Sequence, residues 1–210
     1  GTVAYAANLL IQDILSIDFE VRRRLKMEKK ISEMKGHVLV CGYGRMGKVV
    51  CRELEHSGVD FVVIDGQEEN FKSAPKGLKY LVGDATNDGL LIKAGIARAS
   101  KLVCMIDSDS DSLYVSLAGR SLNPEIYIVS RANEEGAKLK ILRAGADRVI
   151  LPLLVSGIKV AQTVLDPDFD DLLDIEGVKL TDKERIQLKE VHVDKKTNLV
   201  GKSLISSGIP

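Results

Sequence analysis

Short runs of Val, Ile and Leu alternate with stretches of helical spacing across the middle of the chain, and this alternation narrows the possible folds most. HVLVCG (37–42), DFVVID (60–65), LKYLVG (78–83), KLVCMID (101–107), EIYIVS (125–130) and RVIL (148–151) read as six strands. Helices are expected between them at about Arg45–Ser57, Asn87–Ala94, Ser110–Leu122 and Asn133–Ala144. Strands that are apolar nearly throughout belong to a parallel sheet covered on both faces. A βαβα rhythm with such strands gives an α/β fold, a Rossmann-like doubly wound parallel sheet.

The segment 1–35 precedes this pattern. Leu10, Ile14, Ile17, Val21 and Leu25 share the spacing of one helix face. Its first eleven residues are uncharged, and from Val21 it carries Arg22, Arg23, Arg24, Lys26, Lys29 and Lys30. A span needs about 20 apolar residues, and this apolar stretch is shorter. The residues alone fit a soluble amphipathic helix. They fit equally the cytoplasmic end of a spanning helix with a basic flank. The start at Gly1 lacks a Met, a basic leader region and a cleavage site, which reads as a fragment rather than a signal peptide.

After the sixth strand, Pro152 is expected to end the strand, and LLVSGIKVAQTVL (153–165) reads as a helix apolar around most of its circumference. A surface of that kind marks an interface. Beyond it come a short amphipathic piece at DPDFDDLL (166–173), a polar loop near Thr181–Arg185 and a half-exposed strand at IQLKEVHV (186–193). The resulting division is 1–35, 36–151, 152–180 and 181–210.

Lys and Arg together balance Asp and Glu at 30 each, so no global basic field points to nucleic acid. The three cysteines, Cys41, Cys51 and Cys104, are widely spaced and form no disulfide framework or zinc motif. They read as small core residues in a reducing compartment.

The strongest motif is Gly42, Tyr43, Gly44, Arg45, Met46, Gly47, directly after a strand and opening a helix. Gly42 allows the turn, Gly44 lets backbone approach a pyrophosphate, and Gly47 lets the helix pack close to the sheet. The helix N-terminus then faces the phosphates. Asp65, followed by Gly66, ends the second strand 18 residues after Gly47, where a carboxylate accepts both ribose hydroxyls. An acid there favours NAD or a plain adenine nucleotide over NADP. The bland alternative is a glycine turn with no ligand.

Gly83, Asp84, Ala85 and Thr86 follow the third strand at the same sheet edge. Asp84 could cap the next helix, line the ligand site or bind a cation. Asp107, Asp109 and Asp111 alternate with serines after the fourth strand, a pattern of oxygen ligands suited to calcium. The run lacks the glycine and distal glutamate of an EF-hand, and Asp109 or Ser110 could simply cap a helix. Arg131 ends the fifth strand and could face ligand phosphates or form a surface ion pair. Catalysis finds little support. His37, His56 and His192 fall at no sheet edge where a hydride-transfer acid would stand, and no P-loop or GxSxG occurs.

HVLVCGYGRMGKVVCREL, VVID, GDAT and AGADRVILP, in that order and spacing, resemble the RCK/KTN domain, the regulator-of-potassium-conductance module. That family serves ligand-gated potassium channels and peripheral subunits of potassium transporters. The resemblance covers about Gly36 to Asp166; LPLLVSGIKVAQTVL is similar to the family's crossover helix, and NLVGKSLISSGI to the opening of its C-terminal lobe. It implies that 1–35 is the end of an inner pore helix running into a linker at the inner membrane. It implies a homodimer that builds a ring under a tetrameric potassium pore encoded upstream in the same chain. It also implies NAD(H) or an adenine nucleotide (ATP, ADP or AMP) held by Gly42, Gly44, Gly47 and Asp65, with Asp84 and Arg131 nearby. Some members bind calcium through the acid after the third strand, Asp84 here, and through acids after the fourth, where this chain has Asp107, Asp109 and Asp111. The intact glycine pattern favours the nucleotide. An NAD-dependent oxidoreductase fragment and a free-standing transporter regulator are the competing readings.

Overall fold

The computed structural model describes Arg22 and residues 24–165. The chain divides into two compact units, 1–159 and 160–210, and the second is described only over 160–165. The expected crossover segment beyond Leu165, the strand at 186–193 and the C-terminal lobe lie outside the described residues, as does most of the apolar start. No helix among the described residues is long and apolar enough to cross a membrane.

The six strands are β1 (Val38–Cys41), β2 (Phe61–Asp65), β3 (Tyr80–Val82), β4 (Lys101–Cys104), β5 (Tyr127–Arg131) and β6 (Arg148–Ile150). The helices are α1 over 24–33, α2 (Arg45–His56), α3 (Asp88–Lys93), α4 (Asp109–Leu122), α5 (Glu135–Arg143) and α6 (Pro152–Leu165). All pairings are parallel, in the order β3-β2-β1-β4-β5-β6. The expected doubly wound sheet is therefore present, and its order reverses between β1 and β4. Pro152 opens α6 instead of merely ending the strand before it, because its missing N–H costs nothing at a first helical position.

Successive strand residues point to opposite faces, and the core follows that rule. Leu39, Cys41, Val62, Ile64, Leu102, Cys104 and Ile128 build one apolar cluster with residues of α1, α3, α4 and α5. Val38, Val40 and Val63 build the other with Cys51 of α2, Tyr43 and Phe71. The cysteines are buried and unpaired. Burial pushes all three thiols up, Cys51 to about 12, which suits packing groups and not nucleophiles.

Helix α1 is packed onto this core. Ile31 is fully buried, Glu28 pairs with Lys93 of α3 at 2.8 Å, and Arg98 Nε donates to the Met34 carbonyl at 3.1 Å. Helix α6 differs: it has no buried residue, and Leu153, Leu154, Val155 and Ile158 are 45–70% exposed.

Candidate nucleotide site

At the carboxyl ends of the strands lies an open cleft of about 980 Å³. Its wall on one side is the turn from β1 into α2. The three glycines of that turn have three different reasons. A Cβ on Gly42, whose φ is +99°, would sit 2.9 Å from the Met105 backbone. A Cβ on Gly47 would stand 2.0 Å from the Gly42 carbonyl oxygen. A Cβ on Gly44 would meet nothing within 4 Å, so the open space there faces the cleft. Gly44 also begins α2 with no side-chain cap, which leaves first-turn N–H groups without a side-chain acceptor. Arg45 and Met46 line the cleft beside them.

Tyr43, expected among the ligand contacts, turns its ring away. The ring is 5% exposed and stacks on Phe71 with centroids 5.2 Å apart, and Phe71 stacks on Tyr80 at 4.0 Å. Only the Tyr43 backbone serves the site: its N–H donates to Asp65 Oδ2 at 2.6 Å. Asp65 Oδ1 accepts from Gln67 N at 2.8 Å and from Asn70 Nδ2 at 2.9 Å. Asp65 thus lines the cleft with Gly66 and at the same time fastens the glycine turn to the end of β2. Three donors leave a carboxylate with at least one lone-pair direction for a ligand hydroxyl.

Asp84 and Ala85 line the cleft, and Thr86 does not. Asp84 Oδ1 accepts from Thr86 N at 2.8 Å in a local turn, and this bond holds its carboxyl below the usual range. It does not cap α3; Asn87 does, accepting from Leu90 N.

The acids after β4 do not converge. Ser108, not Asp109 or Ser110, caps α4 by accepting from Asp111 N. Asp109 accepts from Asn133 N at 2.7 Å and Glu134 N at 3.1 Å, which fastens the loop after β5. Asp107 pairs with Arg131, and Arg131 Nη2 donates to Asn133 Oδ1 at 2.8 Å. Arg131 both lines the cleft and forms the ion pair. Among the described residues no three acidic, histidine or cysteine side chains gather as a metal would need. The set Asp84, Asp107 and Asp109 is therefore not brought together as calcium ligands.

Residues that the motif did not single out also line the cleft: Lys48, Gln67, Asn70, Met105, Ile106 and Leu153. Gln67 and Asn70 could have been suspected as polar side chains directly after Asp65. Among the described residues, the cleft lining carries no His, Cys, Ser, Thr or Tyr side chain. His37 is buried at the amino end of β1, the end away from the cleft. One ring nitrogen bonds the Ala94 carbonyl at 3.0 Å, and burial lowers its pKa.

A parallel sheet in 3-2-1-4-5-6 order, with a glycine turn and a helix N-terminus at its reversal point, defines a Rossmann-type fold. Residues 38–152 match the TrkA-N domain, and the chain belongs to that family. The whole chain is 36% identical to Probable potassium channel protein 2 of Methanocaldococcus jannaschii, of which it spans 63%. The GsuK channel bound to NAD is similar over 65% of this chain and 24% of that one, at 31% identity and a TM-score of 0.58. The Kef CTD of Shewanella denitrificans in its AMP-bound form is similar over 67% of this chain and 92% of that one, at 27% identity and a TM-score of 0.55.

Proposed function

We propose that this chain is the ligand-sensing regulatory part of a potassium channel and that it binds NAD(H) or an adenine nucleotide without transforming it. The observation that carries the reading is the open cleft at Gly44. There the α2 N-terminus and the Arg45 guanidinium meet phosphate, and Asp65 meets the adenosine ribose. Gly42 and Gly47 shape the turn, while Gly66, Asp84 and Ala85 form the wall beyond Asp65. Structures of similar domains hold NAD and AMP. Of the acids that the resemblance offers for calcium, Asp84, Asp107 and Asp109 each hold a partner within the protein and no three gather among the described residues, so the ligand proposed is the nucleotide alone.

In this reading the domain works at the cytoplasmic face of the inner membrane, below a pore supplied upstream in the same protein. Helix α1, docked through Ile31 and the Glu28–Lys93 pair, is the stiff connection through which the domain acts. The exposed apolar side chains of α6 pair with a second copy, and dimers build the ring. A ligand shifts such a ring only by its differential affinity for the open and closed forms.

The test is calorimetric titration of the purified chain with NAD, NADH, ATP, ADP and AMP, with sedimentation of the same samples. Saturable binding of at least one nucleotide by a dimer or larger species is expected. Flat titrations for all five would overturn the sensor reading, and a clean monomer at micromolar concentration would remove the ring.

A further inference from the structure

The cleft does not end where a mononucleotide would. From Gln67 and Asn70 it runs past the glycine turn, over Met105 and Ile106, to Pro152 and Leu153. A ligand with its adenosine at Asp65 and its phosphates on α2 leaves the side over β4 unfilled. The charged groups on that side differ in what they have left to offer. Arg131 gives Nη1 to Asp107 and Nη2 to Asn133, so both terminal nitrogens of its guanidinium are engaged, and only the buried Nε is without a partner among the described residues. Both Asp109 oxygens accept backbone N–H groups. Asp111, in the first turn of α4, lines the cleft half-buried, and its carboxylate has no hydrogen bond or ion pair among the described residues.

An unpartnered carboxylate beside a ligand channel wants hydroxyl or N–H donors and repels anions. A third phosphate continuing from α2 would face Asp111, with the Arg131 charge that could have neutralised it already offset by Asp107. A second ribose, joined through a pyrophosphate, would present a pair of hydroxyl donors instead. We propose that Asp111 is a specificity-determining residue that accepts the hydroxyls of a second ribose and so selects dinucleotides and ADP-ribose over nucleoside triphosphates. The assignment rests on the nucleotide reading of the cleft and deepens it: Asp65 takes the first ribose, and Asp111 the second.

The experiment compares AMP, ADP-ribose and ATP by calorimetry on the full chain. AMP does not extend to Asp111 and reports on the nucleotide reading alone. The wild-type chain should bind ADP-ribose more tightly than ATP. Asp111→Ala should weaken ADP-ribose by about tenfold, the scale of one good charged hydrogen bond, strengthen ATP by about threefold, and leave AMP within about twofold. Asp111→Asn keeps an acceptor without the charge, so it should recover part of the ADP-ribose affinity while keeping the gain for ATP. A merely structural role would lower all three ligands together and would not separate the two variants, which overturns the assignment. Unchanged ADP-ribose affinity in Asp111→Ala overturns it as well. Absence of AMP binding by the wild-type chain would instead bring down the nucleotide reading, and the selectivity with it. Thermal melting of each variant identifies loss of fold; if Asp111→Ala does not fold, Asp111→Ser takes its place with the same expectations.

Discussion

The two sides of the cleft are built in opposite ways. Over β1 and β2 the wall is backbone: a glycine turn with open space at Gly44, fastened from behind by Asp65. Over β4 and β5 the wall is side chain: Asp107 and Arg131 line it, and Asp109 and Asn133 behind them tie the two loops together. The first side is shaped to receive a group that brings its own charge. The second has already satisfied most of its own. A site can thus carry charged side chains on both walls and still offer a phosphate only one place to sit.

The largest expected effects come from the glycine turn itself. Gly47→Ala should destabilise the fold by about 3 kcal/mol or more, because its Cβ would overlap the Gly42 carbonyl oxygen. Gly44→Val, three residues earlier, should cost only about 1 kcal/mol in thermal or denaturant unfolding. It should nevertheless abolish nucleotide binding, since its side chain fills the phosphate space. Equal stability losses for the two variants would mean that the turn is purely structural and that the two sides of the cleft do not differ as described.

A smaller contrast separates the two anchoring carboxylates. Asp65→Ala orphans the Tyr43 and Gln67 N–H groups and the Asn70 amide. It should lower stability by about 1–3 kcal/mol and nucleotide affinity by about tenfold or more. Asp109→Ala orphans Asn133 N and Glu134 N, with a similar stability loss expected. Its effect on affinity should stay within about threefold, because Asp109 does not line the cleft. Paired unfolding and titration data on both variants decide whether anchoring and binding coincide only on the β1–β2 side.

The smallest effect belongs to Asp84, exposed on the cleft wall. Asp84→Ala removes the acceptor for Thr86 N and should cost less than about 1 kcal/mol. The Thr86 bond lowers its folded pKa below 3.8, so its contribution is present above that pH and is lost as pH falls through the folded value. Acid unfolding of Asp84→Ala should therefore differ from wild type above that window and converge with it below.

Some of this architecture was legible in the residues alone, and the reason is range. Strand runs, the glycine spacing and Asp65 are features of a few consecutive residues whose backbone chemistry leaves little choice. The wound sheet and the position of the turn followed from them. Where the side chains go was a different matter. Tyr43 sits inside the motif, yet its ring belongs to a stack with Phe71 and Tyr80, residues brought close only when β2 and β3 join the sheet. Asp109 looked like a metal ligand or a cap. Its actual partners, Asn133 and Glu134, lie one helix and one strand later. The sequence by itself determined the layered fold and the backbone of a phosphate-binding turn, because both are set by local pattern and by the steric minimum of glycine. Only the tertiary structure decided which acids are free to meet a ligand, because a carboxylate is claimed by whichever donors the folded loops place within hydrogen-bond reach. It left Asp111 as the acid after β4 without such a donor among the described residues.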